Sequence, residues 1–211
     1  MILTDRDLEI IAASNLCARM FTLTQVAATW WSSSDTGRKN AAKRLSQLCK
    51  CGLMQRDTVL AQPMLSLSSP EYAWFPGERG PKFGELSWRL QSRWSGHPQH
   101  VVIYFATPRG LAVFGGSTPG KIKNLCQVTH DLHMAEVYLT YRKRWPHDAR
   151  WWVGEDFLAP FRRKQKLPDA MLVNAEAEPY RAVEFGGAYS ARRLMDFHAD
   201  NSQRGIPYEI W

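Results

Sequence analysis

The sequence lacks long apolar segments and paired cysteine motifs. No apolar run approaches the roughly 20 residues that a membrane-spanning helix needs. The opening residues, MILTDRDLEI, carry acids where a secretory signal needs a basic and then an apolar stretch. The four cysteines show no CxxC spacing, which argues against a zinc site and a disulfide framework. We therefore expect a cytoplasmic protein with reduced thiols and no membrane partner.

Acidic side chains are scarce in two parts of this 211-residue chain, whose formal net charge is +7. Residues 36–56 carry six basic side chains and no acid, and residues 142–166 carry eight basic side chains against three acids. A surface with clustered positive charge favours polyanions, chiefly nucleic acids. The alternative is a solvated basic surface without a ligand.

The first part of the chain has the pattern of three helices and a hairpin. Thr4 and Asp7 fit a capping box for the first helix. A third helix is predicted from the Ser32–Asp35 turn to about Lys50, where Gly52 ends it. The residues after Gly52 have the pattern of a first hairpin strand, and Tyr72–Phe75 of the returning one. This order predicts a winged helix-turn-helix domain over residues 1–116, with an irregular wing region at 61–99.

The third predicted helix separates apolar from polar side chains. Ala41, Leu45 and Leu48 recur at helical spacing and are expected to face the core. In a winged helix the opposite face enters the major groove, where Asn and Gln bind adenine edges and Lys and Arg bind guanine or phosphate. The predicted DNA-binding residues are Thr36, Arg38, Lys39, Asn40, Lys43, Arg44 and Gln47, with Arg56 at the start of the wing.

The remainder of the chain is predicted as a linker, residues 117–127, and a second domain, residues 128–211. The second domain has the order α-β-β-β-α-β, which is that of the PD-(D/E)xK nuclease core. The predicted elements are a helix over 129–145, strands over 151–158, 167–174 and 180–185, a helix over 190–202 and a strand over 206–211. The whole chain is thus expected to be an α+β protein.

Two carboxylates fall where a nuclease core needs them. Asp169 begins the second predicted strand and Glu184 ends the third, so a turn between antiparallel strands would bring them together. Two converging carboxylates form a hard oxygen site suited to Mg²⁺ or Mn²⁺, which can activate a phosphodiester for in-line attack. The alternative is a turn residue and a charge at a strand end.

The nuclease pattern is incomplete at one position. The expected Glu-x-Lys is Glu184-Phe185-Gly186 here, so the lysine that would stabilise charge is missing. Lys166, or Arg192 and Arg193 on the following helix, are candidates for the missing cation.

Other side chains are weaker candidates. Glu136 on the predicted helix 129–145 is a candidate third metal ligand and catalytic acid. His130 and His133 have i, i+3 spacing, which is poor for zinc. Tyr138 and Tyr141 are possible nucleophiles but more often packing residues, and Glu155 is another possible ligand.

Several short motifs resemble the replication-relaxation family and the related MobC-type relaxases of mobilisable plasmids. They are the opening Leu3–Asp7, the basic third helix, His130–Leu132 with Glu136 and Val137, Leu167–Ala170, and Val183 with Glu184. The resemblance implies a winged-helix N-terminus and a nuclease-like C-terminus that nicks DNA at a transfer origin. It also implies that Asp169 and Glu184 are the acidic pair and Glu136 the helix acid.

Two functions follow as hypotheses. The first is a metal-dependent DNA-nicking relaxase that binds a transfer origin, with other mobilisation proteins as possible partners. The second is a plasmid or phage DNA-binding regulator that binds an operator and whose nuclease-like half is inactive.

Overall fold

The computed structural model describes residues 1–114, 125–161 and 166–211, which form a mixed α+β protein with two sheets. No helix in these ranges is long and apolar enough to cross a membrane. The elements, in chain order, are α1 (Asp5–Leu16), β1 (Phe21–Thr22), α2 (Leu23–Trp30), α3 (Asp35–Lys50), β2 (Met54–Ala61), β3 (Tyr72–Trp74), α4 (Phe83–Ser92), β4 (Gln99–Ala106), α5 (Pro108–Ala112), α6 (Leu125–Arg144), α7 (Pro146–Ala149), β5 (Trp152–Gly154), α8 (Glu155–Leu158), β6 (Ala170–Val173), β7 (Pro179–Glu184), α9 (Ala191–Gln203) and β8 (Tyr208–Ile210).

The described chain divides into two compact units whose boundaries differ from the predicted segments. The first unit comprises Met1–Pro63 and Pro98–Leu139, and the second comprises Met64–His97 and Thr140–Trp211. Residues 64–97 thus belong with the C-terminal part, because β3 pairs with β8 in the second sheet. Residues 125–127 of the predicted linker are the first turn of α6, and residues 117–124 lie outside the described residues.

Local capping fixes the helices of the first unit. Thr4 and Asp7 form the predicted capping box of α1, and Thr22 and Gln25 form a second one at α2. The sheet has the order β1-β4-β2, and all its pairs are antiparallel. The strand that returns from β2 is β4, with Met54 opposite Ala106. The prediction of Tyr72–Phe75 as the return strand was therefore wrong.

The inner face of α3 is apolar and fully buried. Ala41, Leu45 and Leu48 on α3 are 0% exposed, which confirms the predicted inner face. Met20, Ile103 and Leu132 belong to a second buried cluster of this unit. Burial of each such side chain contributes about 1.5–3 kcal/mol to folding, so α3 is held by its apolar face and its polar face is left for other contacts.

The second unit is built on a five-stranded sheet of order β3-β8-β7-β6-β5. The pairs β5·β6 and β6·β7 are antiparallel, and β7 and β8 run parallel, joined by α9. Three strands are shorter than predicted: β6 is Ala170–Val173, β8 is Tyr208–Ile210, and β5 ends at Gly154, after which Glu155–Leu158 form the short helix α8. Gly154 precedes this helix and its first turn carries Glu155 and Asp156, an arrangement that favours a helix start over a strand.

Candidate functional site

The start of α3 is fixed by a serine cap and a glycine contact. Ser34 Oγ accepts a hydrogen bond from the Gly37 backbone N–H at 3.1 Å, which satisfies one of the open donors of the helix. A Cβ at position 37 would lie 2.3 Å from Ser32 Oγ and 2.4 Å from the Ser32 carbonyl oxygen. Only glycine fits at position 37, because any side chain there would collide with Ser32. The turn at 32–34 therefore packs directly against the first turn of α3.

The outward face of α3 carries cations and an amide. Lys39, Asn40 and Lys43 are exposed, on the side opposite the buried residues of the helix. In the part of the chain that the structure describes, no carboxylate forms an ion pair with either lysine. The other predicted residues that are also exposed are Thr36, Arg38 and, on β2, Arg56. We call Thr36, Arg38, Lys39, Asn40 and Lys43 the basic face of α3.

Arg44 and Gln47 are occupied inside the first unit. Arg44 binds Asp7 with both ends of its guanidinium fork, Nε to Oδ1 at 2.8 Å and an Nη to Oδ2 at 2.5 Å. Another Arg44 Nη donates to Gln47 Oε1 at 3.0 Å. Asp7 is 0% exposed, so Arg44 holds α3 against α1 and is not placed as the phosphate contact that the sequence predicted.

The ionisation of Asp7 reflects this contact. Burial alone would raise the pKa of Asp7, but hydrogen bonds from Arg44 and from Thr4 outweigh it and hold the pKa below its ordinary value of 3.8. The carboxylate is therefore charged at neutral pH and the pair is a permanent link between the two helices.

The second candidate site is a pair of carboxylates in the second unit. Ala170 on β6 is opposite Val183 on β7, so Asp169 and Glu184 occupy the next register position. Each carboxylate accepts a backbone N–H beside the other: Asp169 N donates to Glu184 Oε2 at 3.1 Å, and Phe185 N donates to Asp169 Oδ2 at 2.7 Å. The prediction that the hairpin brings these two side chains together is confirmed.

A tyrosine and an arginine extend this pair. Glu184 is 2% exposed, and its Oε1 accepts a hydrogen bond from the Tyr189 hydroxyl at 2.6 Å. An Nη of Arg193 donates to the same hydroxyl oxygen at 2.5 Å, and the guanidinium lies 3.7 Å from the centre of the Tyr189 ring. Burial, then the charges of Glu184 and Asp169, raise the pKa of Tyr189 far above its ordinary range, so its hydroxyl remains a donor.

The other predicted members of the metal site have hydrogen-bond partners of their own. Glu136 belongs to the first unit, where its Oε2 accepts a hydrogen bond from Gln25 Nε2 at 3.0 Å. Lys166 Nζ donates to the backbone carbonyl of Arg193 at 3.4 Å. Among the residues that the structure describes, no three His, Cys, Asp or Glu side chains form a metal-binding group. Glu136 and Lys166 are thus each hydrogen-bonded to a residue other than Asp169 and Glu184.

The weaker catalytic candidates from the sequence also form hydrogen bonds within the protein. Tyr141 is 0% exposed and its hydroxyl donates to Glu209 Oε2 at 2.5 Å. Burial and the Glu209 charge raise the pKa of Tyr141 well above its ordinary value, which disfavours the phenolate that a nucleophile needs. His133 is fully buried, with Nδ1 2.6 Å from the Thr129 carbonyl oxygen, so it serves packing within α6. Glu155 begins α8, and its backbone N–H donates to the Asp169 carbonyl at 2.9 Å.

Little space is left for a side chain at position 186, where the nuclease pattern would have a lysine. A Cβ at position 186 would lie 2.7 Å from Leu90 Cδ1 and 2.9 Å from Ile210 Cγ2. Leu90, on α4, is 0% exposed, so it is a packed core residue and cannot swing away freely. The inserted helix α4 thus fills the space into which a side chain at 186 would extend.

Sequence reasoning missed Tyr189 and the engagement of Arg44. Tyr189 stands five residues after Glu184 and directly before the Ser190 cap of α9, but nothing in that spacing indicates a carboxylate contact. Comparisons of the chain with protein-family models, with curated proteins and with solved structures find no match. Any function therefore rests on the two sites themselves.

Proposed function

We propose that the protein binds double-stranded DNA through the basic face of α3. The observation that carries this proposal is the two-sided helix α3: Ala41, Leu45 and Leu48 are fully buried, and the opposite face exposes cations. After Asp35, its first residue, the chain has no acid up to residue 56. Within the first unit the elements up to β4 follow one another as α1, β1, α2, α3, β2 and β4, because β3 and α4 belong to the second unit. This order and the sheet order β1-β4-β2 support a winged-helix assignment, in which α3 enters the major groove.

The proposed roles follow from side-chain chemistry. The Asn40 amide can form a bidentate pair with an adenine edge, and Lys39 and Lys43 can bind guanine or phosphate oxygens. Arg38 on α3 and Arg56 on β2 are both exposed, and we assign phosphate contacts to them. Arg44 contributes indirectly, because its bond to Asp7 fixes how α3 is seated on α1.

The test is a titration of duplex DNA, selected from a random pool by the full chain, with the Lys39→Ala/Asn40→Ala/Lys43→Ala variant. Each lost bidentate contact should cost about 1–3 kcal/mol of binding free energy. Each lost phosphate contact should lower the slope of log K against log salt by about one. Fluorescence anisotropy at several salt concentrations gives both quantities.

Lys82→Ala is the matched control, because Lys82 is an exposed lysine of the second unit whose Nζ is paired with Glu85 at 2.9 Å. It should bind as the native protein does. Equal affinity and equal salt slope for the triple variant and the native chain would contradict the proposal.

A second candidate function is favoured by the carboxylate pair. The order of the long helix, three strands, α9 and β8 supports a PD-(D/E)xK-like assignment, and the resemblance to the replication-relaxation family adds strand nicking at a transfer origin. Asp169 and Glu184 fit Mg²⁺ or Mn²⁺ by donor type, since a hard cation is often held by one or two carboxylates, water and substrate phosphate. When bound, such an ion would polarise a phosphoryl oxygen.

In this second candidate function, different groups of the chain have different roles. Asp169 and Glu184 would hold the ion, and the backbone N–H groups of Asp169 and Phe185 keep the two carboxylates facing each other. Glu136 is hydrogen-bonded to Gln25 and Lys166 to the Arg193 carbonyl, so the proposal assigns the ion to Asp169 and Glu184 alone. The target would be a transfer origin in the cytoplasm. A regulator that binds an operator and does not cut is the alternative.

Conversion of supercoiled plasmid to open circle in Mn²⁺ tests this candidate. Asp169→Asn keeps the shape of the side chain and removes its charge, so it should abolish nicking and leave duplex binding unchanged. A native protein that nicks no transfer-origin plasmid with any divalent ion favours the regulator. Equal nicking by Asp169→Asn would exclude the carboxylate site.

A further inference from the structure

We propose that the end of α6 and the helix α7 form a surface of the second unit that binds an unpaired DNA strand, with a base stacked on Trp145. The surface consists of Lys143, Arg144, Trp145 and Arg150, and we call it the α6–α7 surface. It belongs to a different unit from the basic face of α3 and takes a different form of nucleic acid. The choice of DNA over RNA rests on the proposed function, and the rest of the inference does not.

The first step is the charge of this surface. Residues 142–151 carry four basic side chains and one acid, and they begin the second basic block of the sequence. Lys143 and Arg150 are exposed. Within the described part of the chain, no carboxylate forms an ion pair with either of them. The one acid, Asp148, accepts a hydrogen bond from the Tyr180 hydroxyl at 3.2 Å. The surface therefore has cations available for the phosphates of a nucleic acid.

The second step is the fixed position of an exposed aromatic side chain. Trp145 is 39% exposed, and its ring centre lies 5.1 Å from that of Tyr141, which is fully buried. The Trp145 backbone N–H donates to the Tyr141 carbonyl oxygen at 2.7 Å. Pro146, which follows, restricts the backbone angles of Trp145 further. The indole is thus supported by the core and still presents area to solvent, as a platform for base stacking must.

The third step is an oriented guanidinium directly before this tryptophan. Arg144 is exposed, and one of its Nη atoms donates to the Ser68 backbone carbonyl. A guanidinium has five N–H donors, so a bond to one carbonyl orients the group and leaves donors for a phosphate oxygen. Because Arg144 and Trp145 are adjacent in the chain, a phosphate contact and a base stack can come from the same nucleotide or its neighbour.

The fourth step separates this interpretation from a purely local one. The last turn of α6 holds Arg142, Lys143 and Arg144, and cations there also offset the helix dipole. The dipole does not account for the exposed tryptophan that follows them, since burial of such a ring would be more favourable. Bases in a duplex are already paired and stacked, so an exposed ring favours an unpaired strand.

The test is the affinity of the full chain for a labelled oligothymidylate of about 12 nucleotides, a length in the usual range of single-strand sites. Fluorescence anisotropy at several salt concentrations gives the affinity and its salt slope. Trp145→Leu keeps an apolar side chain on Tyr141 and removes the stack. Its affinity should fall about five-fold to 150-fold with an unchanged salt slope. Trp145→Phe keeps a ring and should stay nearer the native affinity.

A charge variant tests the same surface without altering the packing of Trp145. Lys143→Gln/Arg150→Gln removes two exposed charges, so it remains informative if Trp145→Leu fails to fold. It should lower the slope of log K against log salt by about 1.4, because each phosphate contact of a single strand contributes about 0.7.

Trp88→Leu is the matched control. Trp88 is a tryptophan of the same unit and is 71% exposed. Glu85, in the first turn of α4, lies three residues before it, which places an acid where a strand would need a cation. Trp88→Leu should therefore bind the oligothymidylate as the native chain does.

The variant Lys39→Ala/Asn40→Ala/Lys43→Ala separates this inference from the proposed function. In that background Trp145→Leu should weaken oligothymidylate binding by the same factor, because the two surfaces belong to different units. A native chain that binds no duplex would remove the proposed function, and the oligothymidylate titrations would still decide the role of Trp145.

The inference is overturned if the native chain does not bind the oligothymidylate, or if Trp145→Leu binds it as tightly as the native chain does. It is also overturned if Trp145→Leu weakens binding of a duplex of the same length equally, since the surface would then bind paired DNA. Tighter binding of an oligouridylate than of the oligothymidylate would overturn the choice of DNA.

Discussion

The two candidate sites differ in how they are exposed and in what holds them. The basic face of α3 is an open surface, and its side chains have few contacts within the described chain. Glu184 is buried and Asp169 is half-buried. Backbone N–H groups donate to both carboxylates, and the Tyr189 hydroxyl donates to Glu184. An open cationic surface suits an extended polyanion, whereas a fixed pair of acids suits a small cation. The two proposed sites therefore lie in separate compact units.

The largest expected effect is the loss of stability when the ion pair between Arg44 and Asp7 is broken. Arg44→Met would leave the buried Asp7 carboxylate without a cation, with only its hydrogen bonds from Thr4. Breaking a fully buried ion pair costs about 3–5 kcal/mol. Arg44 is itself 22% exposed, so we expect the lower end, about 3 kcal/mol. Hydrogen exchange measured by mass spectrometry should show faster exchange in α1 and α3. Arg38→Met, at an exposed position on the same helix, is the control and should leave exchange unchanged.

The same pair gives a pH dependence. The folded-state pKa of Asp7 lies below its ordinary value of 3.8, so its stabilising contribution is complete above that value and is lost as the pH falls through the lower folded-state pKa. Acid unfolding of α1 and α3, followed by circular dichroism and exchange, should begin at a higher pH in Arg44→Met. An identical acid transition in both proteins would contradict this role.

A substitution at Gly186 tests the packing next to the carboxylate pair. Gly186→Lys restores the Glu-x-Lys pattern in sequence, but its Cβ would collide with Leu90 and Ile210. We expect a loss of about 1–3 kcal/mol in unfolding free energy from overpacking and no gain of nicking. Thermal and denaturant unfolding measure the loss.

Gly84→Lys is the control for that change, because a Cβ at 84 on α4 meets nothing within 4 Å. It should be neutral or stabilising, since lysine favours a helix more than glycine does. A Gly186→Lys protein as stable as the native chain, or one with new nicking activity, would contradict the packing argument.

A smaller effect on stability is expected for Glu136→Gln, and this variant also tests whether Glu136 binds the metal ion. Glu136→Gln keeps an acceptor oxygen for Gln25 Nε2, so unfolding free energy should change by less than about 1 kcal/mol. Mn²⁺ affinity, measured by calorimetry, should stay at the native value. A tenfold weaker Mn²⁺ affinity would return Glu136 to the metal site.

Arg56→Ala should have the smallest effect. The residue is exposed on β2, and a lost phosphate contact should lower the salt slope of duplex binding by about one. Binding to specific and unrelated duplexes should weaken equally, because phosphate contacts carry no sequence information. A selective loss on the preferred duplex would instead make Arg56 a base contact.

The sequence was sufficient where structure depends on near neighbours. The capping box at Thr4 and the buried side of α3 follow from spacings of three and four residues, and both are confirmed. The meeting of Asp169 and Glu184 also follows, because one turn joins their strands. These features depend on local backbone geometry, which a pattern of residues encodes directly.

The features that the sequence did not predict depend on tertiary contacts. The loss of Arg44 from the basic face depends on Asp7, which lies 37 residues earlier. The pairing of β3 with β8 depends on residues more than 130 positions apart, and this pairing takes residues 64–97 away from the predicted wing. The closed space at Gly186 depends on Leu90, which belongs to that same inserted segment. No periodicity in the sequence encodes such distances.

The central claim, that the basic face of α3 binds duplex DNA, is tested most directly by lysine footprinting of the full chain. Acetylation would be measured by mass spectrometry with and without the selected duplex at low salt. The account predicts that the duplex protects Lys39 and Lys43 and leaves Lys82 unchanged. Equal modification of Lys39 and Lys43 with and without DNA, while anisotropy shows the DNA to be bound, would contradict it.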